Sequence, residues 1–247
     1  MPADIHGELH AGLTLDGPER LPFVRRAFGL LSAPPAPVVL DAGCGRGGSS
    51  VELARLGAAL VVGLDIDARV LGVLRRRAAS AGLSDRVAVV LGTLAAPGFR
   101  DRSFDVVWAE GSVHVIGLRH ALRDWRRLIG PHGFLVLHEM CWLAEDPPGA
   151  IRERWRRSVP EIATVSAYAG VAEALGYRVV GSFALPRDFW WEQYFLPLLE
   201  RIGELRRRYA RDAEALRALA DEERDAELHG EHRDWYGSAF LVLQKAG

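Results

Sequence analysis

Asp41, Gly43, Gly45, Gly47 and Gly48 stand together and are followed at once by Ser49 and Ser50. Glycines let a backbone turn tightly and let a ligand come close to the main chain. A glycine turn between a buried strand and a helix N-terminus is a nucleotide-binding device. Gly43, Gly45 and Gly48 also spell G-x-G-x-x-G, a weak dinucleotide signal on its own. Asp41 argues against a pyrophosphate, which it would repel, and for a ligand carrying an ammonium group. A second acid, Asp65, lies 20 residues beyond Gly45. At the end of a second strand it is spaced to accept hydrogen bonds from ribose hydroxyls. Asp67 is the better cap for the helix that follows. Glu110 is expected at the carboxyl end of another strand, beside the glycine turn, facing the cofactor or acting as a base or an anchor. If Glu110–His114 forms one helical turn, the two share a face and make a proton-relay pair. His138 and Glu139 end a further strand, where alternation directs only one of them into a cleft. Glu139 is the expected substrate contact, and His138 a packed residue.

These residues need elements to hold them. Strands are expected at Val38–Asp41, Leu60–Asp65, Val87–Leu91, Phe104–Ala109, Gly133–Glu139, Arg178–Leu185 and Ala239–Gln244. Helices are expected at Arg20–Leu31, Ser49–Leu56, Ala68–Ala81, His120–Ile129, Ile151–Arg157 and Tyr168–Leu175. Pro186–Trp235 reads as a charged, largely helical excursion. Strands alternating with helices from Val38 onward predict an α/β sheet covered on both faces. Aromatic residues gather late, at Phe189, Trp190, Trp191, Tyr194 and Phe195, with Trp142, Trp155 and Tyr168 upstream. An aromatic wall of this kind binds an apolar or cationic small molecule and excludes water. Trp142, Trp191 and Tyr194 are the expected substrate contacts.

Hydrophobic residues make up 49% of the 247 residues, enough for a sizeable core, and 31 basic residues balance 32 acidic ones. That balance gives no electrostatic case for a nucleic acid or an anionic membrane as partner. Two cysteines, Cys44 and Cys141, are too few for a disulfide framework or a zinc site. His229, His232, Asp234 and Tyr236 lack a supporting ligand cluster, so no metal is expected. Neither a signal pattern nor an apolar run of membrane length is visible, and a cytoplasmic protein is expected.

The string V-V-L-D-A-G-C-G-R-G-G-S over residues 38–49 resembles the cofactor motif of class I S-adenosylmethionine-dependent methyltransferases. Ser103-Phe104-Asp105-Val106-Val107 resembles the segment that opens strand four in that family. Residues 121–133, with A-L, R-R-L and G-P-H-G, look like the helix and turn of its ubiquinone-biosynthesis-like branch. The resemblance covers most of residues 35–245. It implies a three-layer, Rossmann-like, seven-stranded sheet, mostly parallel, with an antiparallel last strand and a helical excursion before it. The expected organisation is one domain over 1–247: an N-terminal helical cap (1–36), a cofactor half (37–140) and a substrate half (141–247) with a helical lid (187–235). The implied cofactor is S-adenosyl-L-methionine, contacted by Asp41, Gly43, Gly45, Asp65, Ile66, Thr93, Leu94 and Glu110. Many family members carry Gly-Asp after strand three where this chain has Gly92-Thr93, a hydroxyl in place of a carboxylate. Glu110 and His114 are the expected catalytic residues. The implied activity is in-line methyl transfer to a small-molecule acceptor by a monomer or homodimer. The alternatives are a catalytically silent cofactor-binding partner and a dinucleotide-dependent oxidoreductase.

Overall fold

The structure, a computed structural model, describes residues 5–10, 13 and 17–246. The rest of the expected N-terminal cap, and residue 247, lie outside the described residues. Seven strands form one sheet: β1 (Val38–Ala42), β2 (Leu60–Asp65), β3 (Val87–Leu91), β4 (Phe104–Glu110), β5 (Ile129–Trp142), β6 (Tyr177–Ala184) and β7 (Tyr236–Lys245). Their order is β3-β2-β1-β4-β5-β7-β6. The pairs β1 with β2 and β4, β2 with β3, and β4 with β5 are parallel, while β7 runs antiparallel to both β5 and β6. The strand order reverses at β1 and β4. Such a switch point opens a crevice beyond the carboxyl ends of the strands.

The helices are α1 (Ile5–His10), α2 (Leu21–Phe28), α3 (Gly48–Arg55), α4 (Ala68–Ser80), α5 (Leu118–Asp124), α6 (Gly149–Ser158), α7 (Val165–Ala174), α8 (Leu196–Arg208) and α9 (Ala213–Glu231). One sheet face buries Val39, Val61, Val106, Trp108, Phe134 and Val136 against α2 and α3 residues such as Val24, Ala27, Val51 and Leu53. The other buries Leu40, Val62, Val107, Leu135 and Leu137 against Leu118, Leu122 and Trp125. Alternate strand residues thus serve opposite layers, as a two-residue period requires. A third cluster, around Trp142, Ile151, Phe195, Ile202 and Leu219, joins α1, α6, α8 and α9 beyond the sheet.

Strands two and three match the expected bounds; several other elements differ for physical reasons. The helix expected at His120–Ile129 ends at Asp124 and tightens into a 3-10 turn, Trp125–Arg127. Trp125 is fully buried there, and its indole N–H donates to the Leu94 carbonyl at 3.0 Å. β5 runs three residues past Glu139 because β7 pairs with it as far as Trp142–Tyr236. The short helix α1 precedes the one helix expected in the N-terminal cap, Arg20–Leu31; it packs on α8 and α9. Asp67 does cap α4, accepting from the Arg69 amide at 2.8 Å.

The glycine turn has steric causes. Gly43, Gly45 and Gly47 have φ of +78°, +51° and +78°. A Cβ on Gly47 would lie 2.1 Å from Leu74, so α4 packs directly on the turn. A Cβ on Gly45 would meet nothing within 4 Å, so this stretch of backbone is open to a ligand. Cys44 is a packed thiol, pushed up in pKa by burial and by the charges of Asp41 and Asp65.

Candidate functional site

Two cavities meet over the carboxyl ends of the strands. The first, about 330 Å3, is lined by Asp41, Gly43, Gly45, Ser49, Arg20 and Glu110 among others. The second, about 520 Å3, lies beside it and shares Arg20 and Glu110. Its walls include Trp155, Trp190, Tyr194, Phe195 and Tyr236, and five histidines: His6, His10, His114, His138 and His229.

Four of the eight expected cofactor contacts, Asp41, Gly43, Gly45 and Glu110, line the first cavity; Asp65, Ile66, Thr93 and Leu94 are not among its lining residues. Asp65 ends β2 and ties the turn in place, accepting from the amides of Gly45 and Asp67, each at 2.9 Å. Ile66 (78% exposed) and Leu91 (62%), the cross-strand neighbour of Asp65, leave apolar side chains in the open at this edge. An exposed apolar pair beside a carboxylate suits a planar base joined to a ribose. Thr93 is exposed, and its Oγ1 accepts from the Ala95 amide at 3.3 Å. Leu94 packs toward Gly43. Asp41 is buried and accepts from the Ser50 hydroxyl. Burial, reinforced by the charges of Glu110 and Asp65, pushes its pKa up to about 7 against the opposing pull of Ser50 and Arg20. A ligand cation nearby would complete its ionisation. The donor set fits a ribonucleoside carrying an ammonium group.

Glu110 is placed differently from the helical pairing with His114. It is the last residue of β4, whereas His114 belongs to the 3-10 turn Val113–Val115. The Glu110 carboxylate pairs with Arg20 and accepts from Ser49 Oγ at 2.5 Å and from the Trp108 indole at 2.6 Å. The His138 ring lies 3.6 Å away. Burial alone would push the Glu110 pKa up. The Arg20 charge, with the hydrogen bonds from Ser49 and Trp108, more than offsets it, and the group sits below the usual carboxylate range. So depressed and so fully bonded, Glu110 is an anchor for Arg20 and a poor base.

His114 pairs with Glu139 instead, Nδ1 to Oε2 at 3.3 Å. The other Glu139 oxygen accepts from the amides of Ser112 (3.0 Å) and Val113 (2.8 Å). Glu139 therefore orients His114, and its oxygens are engaged by the turn. The Glu139 hydrogen bond, followed by its charge, raises the His114 pKa against the opposing effect of burial. His138 lines the second cavity as well, so both strand-end residues reach it where alternation was expected to admit only one. It is packed as expected, 4.4 Å from the Phe240 ring, with Nε2 2.8 Å from Ser238 Oγ. Burial drives its pKa down to about 3, so it is neutral.

Of the expected aromatic contacts, Tyr194 lines the second cavity; Trp142 and Trp191 do not. Trp142 is buried in the third cluster, held by its amide to the Ala163 carbonyl. Trp191 lies against Gly230, where a Cβ would come within 2.7 Å of its ring. Their places on the wall are taken by Trp155 and Trp190. On this wall Trp155 Nε1 and His229 Nδ1 are buried with no hydrogen-bond partner among the described residues. Burial brings the His229 pKa down to about 4, so the ring is neutral. Arg20, which the periodicity placed merely at a helix start, is the largest omission. The clue available was Glu110 itself, since a buried carboxylate needs a cationic partner.

A family model described as a methyltransferase domain matches residues 39–133. A sterol 24-C-methyltransferase of Gibberella zeae is 37% identical over 113 residues, 45% of this chain and 29% of that protein. The 27-O-demethylrifamycin SV methyltransferase of Amycolatopsis mediterranei is 32% identical over 125 residues, 50% of this chain and 46% of that protein. The chain thus spans less than half the length of these two relatives. The crystal structure of an S-adenosylmethionine-dependent methyltransferase from Thiobacillus denitrificans, in complex with S-adenosyl-L-homocysteine, shares the fold. It has a TM-score of 0.79 at 20% identity and 98% coverage of both chains. These similarities do not single out the ubiquinone-biosynthesis-like branch. Residues 39–133 match the methyltransferase-domain family, and the 3-2-1-4-5-7-6 sheet and glycine turn around them are those of the class I S-adenosylmethionine-dependent methyltransferase fold.

Proposed function

We propose that the chain transfers a methyl group from S-adenosylmethionine to a small-molecule acceptor bound in the 520 Å3 cavity. One observation carries this reading: the glycine-turn cavity and the aromatic, histidine-rich cavity meet at the same ion pair, Arg20–Glu110. The cofactor, when bound, supplies a sulfonium-activated methyl group, so the protein has mainly to align, desolvate and accept a proton. Asp65 takes the ribose hydroxyls, and Ile66 and Leu91 flank the adenine, with Thr93 and Leu94 nearby. Asp41 faces the ammonium group. Arg20, fixed by Glu110, takes the carboxylate.

In the second cavity the aromatic walls exclude water and hold an apolar or aromatic acceptor. His114, steered by Glu139, accepts the proton that the acceptor loses. Trp155 Nε1 and His229 Nδ1 offer hydrogen bonds that the walls themselves leave unmade. Buried polar groups without partners cost about 1–3 kcal/mol each, so an acceptor with a hydroxyl or amine is favoured over a pure hydrocarbon. A cationic acceptor also suits the aromatic rings. No described helix is long and apolar enough to cross a membrane. A cytoplasmic monomer or homodimer, with no nucleic acid or membrane as partner, completes the proposal.

Incubation with methyl-labelled S-adenosylmethionine and a panel of phenols, carboxylic acids, amines and thiols tests it. The expected result is labelled product with matching S-adenosylhomocysteine for at least one hydroxyl or amine acceptor. Cofactor binding without turnover on the whole panel would instead favour a silent partner protein.

A further inference from the structure

We propose that His6, His10 and Glu222 form a binding site for a divalent transition metal of the zinc class. The three ligand atoms all lie within 4.8 Å of one another. His6 Nδ1 is 3.7 Å, and His10 Nε2 3.9 Å, from Glu222 Oε1. Zinc bonds nitrogen and oxygen at about 2.0–2.2 Å, so tetrahedral ligands stand about 3.3–3.6 Å apart. Closing the present distances to that value takes side-chain shifts of a few tenths of an ångström to about 1.5 Å.

The backbone supplies the arrangement. His6 and His10 are four residues apart on α1 and therefore share a helix face. α1 packs against α9, which carries Glu222. His10 also has the outer partner that a ligating histidine needs. Its second nitrogen, Nδ1, is 3.2 Å from the Tyr194 hydroxyl, which fixes the ring with Nε2 toward Glu222. Arg154, the nearby cation that would otherwise compete for Glu222, is engaged by both oxygens of Asp225. Two imidazoles and one carboxylate select zinc-like ions over magnesium or calcium.

All three residues line the second cavity. Metal there joins α1 to α9 at that cavity. Three protein ligands also leave a fourth position for water or for a heteroatom of the bound acceptor. The proposal does not depend on methyl transfer.

The test is calorimetric titration of zinc chloride into the full chain, without a histidine tag and after removal of metal by chelator dialysis. We expect saturable binding of one zinc per chain and a higher melting temperature with zinc. His10→Gln and Glu222→Gln should each weaken binding about a hundredfold, and Tyr194→Phe about tenfold. His6→Gln, at a 79% exposed side chain, tests the site without endangering the fold. It should weaken binding similarly to the other ligand substitutions, whereas His120→Gln should change nothing. Absence of saturable binding, or unchanged affinity in the ligand variants, would overturn the assignment.

Discussion

Asp65→Ala is expected to weaken S-adenosylhomocysteine binding about a hundredfold in isothermal calorimetry. Hydrogen bonds to a charged acceptor contribute about 1.5–3 kcal/mol each, and two ribose hydroxyls would bond to this carboxylate. Loss of about 3 kcal/mol corresponds to about two orders of magnitude. The substitution also frees the Gly45 amide, so the turn loses the contact that now holds it to β2. Asp65→Asn keeps one oxygen acceptor and should lose less. Helix α4 keeps its own cap, Asp67, in both variants, so the melting temperature should change far less than the affinity. An Asp65→Ala chain that binds as tightly as the wild type would remove this residue from the site.

His114→Gln is expected to lower kcat about a hundredfold or more for an acceptor that must lose a proton, with cofactor affinity unchanged. The neutral imidazole is the active form of a base. Glu139 raises the His114 pKa, so the rate should rise with pH through a midpoint above that of an ordinary histidine. Glu139→Gln removes the carboxylate's charge and its charged hydrogen bond while keeping an oxygen for the Ser112 and Val113 amides. Its midpoint should therefore move to lower pH, a shift that a purely structural role would not produce. A wild-type pH profile carried unchanged into Glu139→Gln would exclude the pair from proton transfer.

The cofactor side of the site was legible because its parts are local. Asp41 to Ser49 are consecutive, and Asp65 closes the next strand, so spacing alone places them together. Strands β2 and β3 could be bounded to the residue, since glycines and polar turns flank short apolar runs. The acceptor side depends on contacts between distant segments. Arg20 meets Glu110 across 90 positions, and His138 meets Ser238 across 100. No period in the sequence announces either pair. The carboxylates illustrate the difference. Glu110 and Glu139 both end strands, and strand logic placed both at the cleft. Only the surrounding donors decide that Glu110 is tied to a guanidinium and Glu139 to an imidazole. The tryptophans make the same point. Trp190 and Trp191 are neighbours, yet Trp190 donates to Ser238 on the cavity wall while Trp191 fills the space above Gly230. Composition shows an aromatic cluster; the contacts each ring makes in the fold decide which of them line the cavity.

The glycine turn and Asp65 are expected to bind a sulfonium nucleoside and not a dinucleotide. Calorimetric titration of the wild-type chain, first with S-adenosylhomocysteine and then with oxidised nicotinamide adenine dinucleotide, tests it most directly. One saturable S-adenosylhomocysteine site per chain, with no heat of binding from the dinucleotide, is the predicted result. Saturable binding of the dinucleotide with none of S-adenosylhomocysteine would contradict it.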